Sequence, residues 1–177
     1  EYSGTARSGS VRMGFADGAV AQLSALPVTV TPEDFVPLVP DHLKSVIDPL
    51  SALVALSRPG QAQPCGRKLA LFDGKQRFNV ALVVTRKEMV PSGRAGTPVE
   101  GIVCRVKYTP VGGYRANDDT RALAESSDIE VTFRPVPQAG LWVAYRVALP
   151  TLAGSVSIEA TRFDIRAPGV AQIALVD

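Results

Sequence analysis

The sequence predicts a mainly β fold: a curved antiparallel sheet, barrel-like or spiral, with one short helical region near residues 41–57. Three observations carry this. Apolar residues alternate at period two along several runs, the signature of strands with one buried and one wetter face. Asp-Gly dipeptides twice separate such runs, as hairpin turns do. Near residue 161 the alternation changes phase, which bends a sheet or moves the chain from one sheet to another.

Along the chain, Asp17-Gly18 separates Val11–Phe15 from Ala19–Leu23, and Asp73-Gly74 separates Leu69–Phe72 from Phe78–Leu82. Both dipeptides suit a type I′ turn, whose two central residues need positive φ. A hairpin turn at Asp73 is favoured over a general acid or base. Ile102, Cys104, Val106 and Tyr108 alternate with Val103, Arg105 and Lys107; Ile129, Val131 and Phe133 alternate with Glu130, Thr132 and Arg134. Leu141, Val143, Tyr145, Val147 and Leu149 form a third apolar row. In 155–166, Val156, Ile158 and Ala160 share one parity and Phe163 and Ile165 the other. A bulge near Thr161-Arg162, or a passage between sheets, reconciles them.

The helical region has two start signals. Asp41 suits the cap of a short turn, and Asp48-Pro49 is a capped start with proline in the first helical position. Leu50, Leu53, Val54 and Leu56 then make a narrow apolar stripe, and Arg58-Pro59-Gly60 ends the helix near Ser57. The expected role is to cover an open end of the sheet, with partner docking as the alternative. The stretches 27–40, 61–64 and 90–98 read as loops; 114–128 reads as a polar loop with one helical turn around Thr120–Ala124.

The 177 residues suit a single β domain, 1–177, with a proper core, and 46% apolar against 20% charged residues is a globular composition. The net charge of +2 and scattered basic residues leave no nucleic-acid footprint. No apolar run reaches the ~20 residues of a membrane helix. Because the chain begins at Glu1, a signal peptide or tag is expected to have been removed, or the piece begins inside a longer product.

The two cysteines, Cys65 and Cys104, lie far apart with no CxxC and no histidine nearby, so redox-motif and zinc readings fail. A structural disulfide or two buried thiols remain. The former would contribute about 3–4 kcal/mol by loop closure and imply an oxidising compartment.

Catalytic chemistry finds little footing. The sole histidine, His42, stands beside a helix-cap region without a G-x-S-x-G partner. Asp118-Asp119, with Asp128 and Glu130 downstream, lack calcium-loop spacing. Gly112-Gly113 and Gly74-Lys75 are turn glycines, not phosphate loops. No cofactor or metal is expected. Arginine outnumbers lysine 14 to 5. Arg77, Arg105, Arg134, Arg146 and Arg162 fall on strands, where some would ladder with Glu130 and Glu159. Arg77, Arg105, Arg146 and Arg162 are the candidate binding residues for anionic lipid or cell-wall carboxylates.

Four stretches together resemble the bacterial domain-of-unknown-function family 3108: 48–53 (DPLSAL), 71–78 (LFDGKQRF), 104–114 (CRVKYTPVGGY), and 145–147 leading to 158–163 (YRV, IEATRF). The match spans most of the chain. The resemblance implies a secreted, periplasmic protein of Gram-negative envelopes, with Cys65 bonded to Cys104 and no catalytic residues to carry over. The family is itself similar to β-spiral envelope-integrity proteins. Family members begin with strands upstream of Glu1, so the first hairpin would border a free edge prone to pairing with another copy. The expected function is non-enzymatic support of the envelope through an envelope protein, lipid or cell-wall component. The alternatives are a carrier or sensor of an apolar ligand, which needs a cavity of about 300 Å³ or more, and a cell-wall hydrolase, which needs two opposed carboxylates.

Overall fold

Period-two runs become strands throughout this chain, which builds twelve among its described residues. In the computed structural model these are residues 11–16, 19–25, 33–57, 63–92, 96–151, 154–167 and 170–176. In chain order the elements are β1 (Val11–Ala16), β2 (Ala19–Ala25), β3 (Phe35–Val36), α1 (Pro49–Leu56), β4 (Lys68–Phe72), β5 (Arg77–Val90) and β6 (Val99–Gly112). There follow β7 (Tyr114–Arg115), α2 (Asp118–Glu125), β8 (Glu130–Val136), β9 (Leu141–Thr151), β10 (Gly154–Glu159), β11 (Arg162–Ala167) and β12 (Val170–Val176). Short 3₁₀ turns cover Pro40–Leu43 and Pro137–Ala139.

The fold is mainly β. Its largest sheet has the order β10-β9-β8-β6-β5-β4, and three two-stranded sheets pair β1 with β2, β3 with β7 and β11 with β12. The large sheet is open, with β10 and β4 as its ends, so among the described residues no barrel closes. By packing, the chain divides into two units: Glu1–Ala52, Lys68–Val80 and Tyr108–Glu125 in the first, and Leu53–Arg67, Ala81–Lys107 and Ser126–Asp177 in the second.

In the first unit, β1 and β2 run antiparallel from Val11↔Ala25 to Ala16↔Ala19, which leaves two residues for the connection. Asp17 and Gly18 themselves lie outside the described residues. Residues 35–36, expected as loop, form β3 against β7, with Phe35 opposite Arg115. Asp73-Gly74 does sit between β4 and β5, but not as a type I′ turn. Gly74 alone of the two has positive φ, at 99°. Asp73 acts through its carboxylate, which accepts from Lys75 N at 2.9 Å and Gln76 N at 2.7 Å. An aspartate that closes a four-residue connection in this way need not enter the left-handed region.

At the far end of β6, Gly113 has φ 76°, and an added Cβ there would run into the Lys75 carbonyl oxygen. Gly113 is thus a bend glycine, as expected, whereas Gly112 is the last residue of β6, where an added Cβ would meet the His42 ring. The expected polar loop at 114–128 is largely α2, longer than the single turn anticipated. Asn117 caps it, its side chain accepting from Thr120 N at 3.0 Å, and Asp118 and Asp119 lie in the first turn, where negative charge favours a helix. Asp41 is not a cap: it lies inside the 3₁₀ turn, whose N-cap is Val39, and pairs with Lys44 at 2.6 Å.

Helix α1 starts as its sequence signals. The Asp48 carboxylate accepts from Leu50 N and Ser51 N at 3.0 Å, and Pro49 follows at the first helical position. Its buried residues are Ala52 and Leu56, one helical turn apart, rather than the whole predicted stripe; Leu50, Leu53 and Val54 are exposed.

In the second unit, β6 pairs with β8 and β8 with β9, all antiparallel. The first two predicted rows are buried, Ile102, Cys104, Val106 and Ile129, Val131, Phe133; of the β9 row Val143 and Tyr145 are buried, while Leu141, Val147 and Leu149 are half-buried. The opposite row differs from expectation. Val103, Thr132 and Arg134 are buried as well, because the central strands are covered on both faces there. The phase change resolves as the passage between sheets. β10 pairs with β9, the chain leaves the ladder at Ala160-Thr161, and β11 pairs with β12 in a sheet of its own.

Candidate functional site

The second unit gathers the chemistry-bearing side chains, starting with the cysteines. Gly66 N donates to Leu82 O at 2.7 Å and Leu82 N to Arg67 O at 2.9 Å, so residues 66–67 bind along β5 at Leu82. Arg67 Nη1 reaches back to Ala55 O at 2.7 Å. Held this way, Cys65 comes to a Cα distance of 5.6 Å from Cys104, within bonding reach, and the two form a disulfide. Both are buried, Cys104 completely.

A charged lattice lies across the strands of the same unit. Arg86 on β5 clasps Glu130 on β8 with two bonds, at 2.6 and 2.8 Å, and reaches Glu88 at 3.3 Å. Arg146 on β9 bonds Glu88, and its other Nη approaches Glu159 on β10 at 3.8 Å. Thr132 donates to Glu88 at 3.2 Å. Arg105, exposed on β6, stands directly opposite Glu130 in the register. The hydrogen bond from Arg86 is the main cause that holds the Glu130 carboxyl below its ordinary pKa; Arg105 and Arg146 add to it. Glu130 in turn raises Arg86 above its ordinary value. A lattice of three arginines and three glutamates neutralises itself. It favours the ionised form of Glu130, and its ion pairing suits structure and recognition better than proton transfer.

Beside the lattice lies a buried cation. Arg134 donates from Nη1 to Pro91 O at 2.8 Å. Its guanidinium sits 5.2 Å from the Tyr145 ring and 5.1 Å from the Phe163 ring. It thereby joins β8 and β9 to β11, a cation–π contact strengthened by exclusion of water.

The four candidate arginines do not converge. Arg146 and Arg105 belong to the lattice. Arg77, in the first unit, donates to Phe78 O and Asn79 Oδ1 at 2.6 and 2.9 Å, and burial lowers its pKa. Arg162 on β11 is held by Asp164 at 2.8 Å, a pairing that raises it. His42 accepts a long bond from Val39 N at 3.4 Å. Glu88, Arg86 and Thr132 are lattice members that alternation alone did not single out. Their signal in the sequence was the charged run Arg86-Lys87-Glu88.

Within the first unit a pocket of about 210 Å³ is lined by Pro110, Tyr114, Asn117, Thr120 and Arg121 among others. It is smaller than the roughly 300 Å³ a carried ligand requires. Among the described residues no group of three or more His, Cys, Asp or Glu side chains could hold a metal ion, and no helix is long and apolar enough to cross a membrane.

No family model, curated protein or solved structure matches the chain. The resemblance to family 3108 therefore rests on its four sequence stretches.

Proposed function

We propose that this is a non-enzymatic domain of the Gram-negative periplasm that supports the cell envelope through contacts with protein, lipid or cell-wall material. The observation that carries the reading is the buried Cys65–Cys104 bond, which suits an oxidising compartment. Surface chemistry supports a contact role. Leu50, Leu53 and Val54 share one side of α1 at helical spacing and are all exposed, as a docking stripe would be. The lattice glutamates are tied to arginines, which is the chemistry of an ion-paired surface rather than of a general acid. The four stretches resembling family 3108 add the envelope to this reading.

Deletion of the gene is expected to sensitise cells to detergent and envelope-active antibiotics. Protein isolated from its native host and unfolded without reductant is expected to show no titratable thiol. Two titratable thiols would remove the periplasmic assignment, and unchanged sensitivity across the panel would remove the envelope role.

A further inference from the structure

The two ends of the large sheet are treated differently. Beside β4, the backbone of Ile47 forms a parallel bridge to Leu71, with Ile47 N bonded to Ala70 O and Phe72 N to Ile47 O, each at 3.0 Å. That edge is occupied. At the other end β10 has β9 on one side, and among the described residues no strand on the other. All six residues of β10, Gly154–Glu159, are exposed, including Val156 and Ile158 on the side of their apolar partners Leu149 and Val147. Natural edges are guarded by lysine, proline or a bulge. Between Gly154 and Glu159 there is neither lysine nor proline, and the register with β9 runs without a shift.

The pairing with β9 fixes which backbone groups point outward. Ala160 N donates to Tyr145 O at 2.9 Å, so 160 and 145 are a hydrogen-bonded pair of the antiparallel ladder. Such pairs recur at every second residue, so Ile158 and Val156 also bond toward β9. The N–H and C=O groups of Ser155, Ser157 and Glu159 therefore face the open side. We infer that this edge pairs with β10 of a second copy of the chain, antiparallel about a two-fold axis through Ser157.

The strand is self-complementary in that register. Ser157 bonds Ser157 of the second copy in both directions, and Ser155 and Glu159 exchange a pair of bonds at each end, so every outward group of these residues is satisfied. Val156 falls opposite Ile158 of the other copy in the non-hydrogen-bonded positions, where side chains approach most closely. The single charge of the strand, Glu159, meets Ser155 rather than its own copy, and it already lies 3.8 Å from Arg146. The contact is isologous and closes as a dimer rather than a fibre. A six-residue edge alone covers less than the ~1,200 Å² of a tight complex, so the dimer is weak and concentration-dependent.

Sedimentation velocity across about 1 µM to 1 mM is expected to show a reversible monomer–dimer equilibrium. Ser157→Pro removes only an outward N–H, which the pairing with β9 does not use, and is expected to weaken the dimer at least about tenfold. Ser157→Lys keeps the backbone donor and guards the edge by charge, serving as the second variant should the proline disturb folding; circular dichroism checks both at low concentration. A chain monomeric throughout, or a dimer untouched by both substitutions, overturns the inference. So does a monomer whose β10 instead takes up an added extended peptide, since the occupant would then be a different strand.

Discussion

β8 and β10 belong to one sheet, separated by a single strand, yet they live in different solvents. Five of the seven residues of β8 are buried, with Thr132 and Arg134 among them; every residue of β10 is exposed, with Val156 and Ile158 among them. Alternation sorts side chains to two faces of a sheet. It does not say how deep either face lies. In the middle of the sheet both faces are covered, so polar residues there need partners. At the end neither is, and apolar residues stay in water.

The contrast can be broken most strongly by truncating one aromatic ring. Phe133→Ala on β8 is expected to cost about 3–5 kcal/mol, against less than about 0.5 kcal/mol for Ile158→Ala on β10, both read from denaturant midpoints at low protein concentration. Equal losses would erase the distinction. Next comes Arg134→Ala. Loss of a buried guanidinium between two rings, together with its bond to Pro91 O, is expected to cost about 2–3 kcal/mol and to raise proteolysis within β11 and β12, which Phe163 helps to hold. An unchanged digestion pattern would separate that stretch from the β8 environment.

The smallest effect lies on the surface lattice. The Glu130 pKa is lowered by folding, so its stabilisation is present above the unfolded value and disappears as pH falls through the folded one. Arg86 is about half exposed, and Arg86→Ala is expected to cost under about 1 kcal/mol at pH 7. The same variant should flatten the loss of stability as pH falls below roughly 4.3, where a free glutamate is half protonated. An acid profile identical to that of the parent would show that the clasp adds nothing beyond solvation.

Much of the backbone was legible. The row Ile102, Cys104, Val106, Tyr108 is buried as its alternation indicates. Asp48-Pro49 starts a helix by a local hydrogen bond, and local chemistry needs no tertiary context. The phase change after Ile158 marked the passage from one sheet to another. What stayed hidden depended on distant segments. Val103 and Arg134 are buried by cover that alternation along β6 and β8 cannot register. The inward face of α1 is set by Ala52 and Leu56, and a short helix with apolar residues on most sides carries little record of which side packs. Asp73 kept its turn but changed its means, because a carboxylate accepting two backbone bonds competes with the left-handed route. The candidate arginines were legible as strand residues and not as a group. Their glutamate partners Glu88 and Glu130 lie 42 positions apart and meet only through sheet register.

The sulfur of residue 104 sits in the middle of a central strand, with no surface left to water. An oxidant arriving after assembly would find nothing to attack. The thiols must therefore meet their electron acceptor while the chain is still loose, before β5 and β8 flank β6. That sets an order of events: bond formation first, closure of the sheet last. Once the sheet closes, the bond is shielded from reductants in solution for as long as its strands stay together.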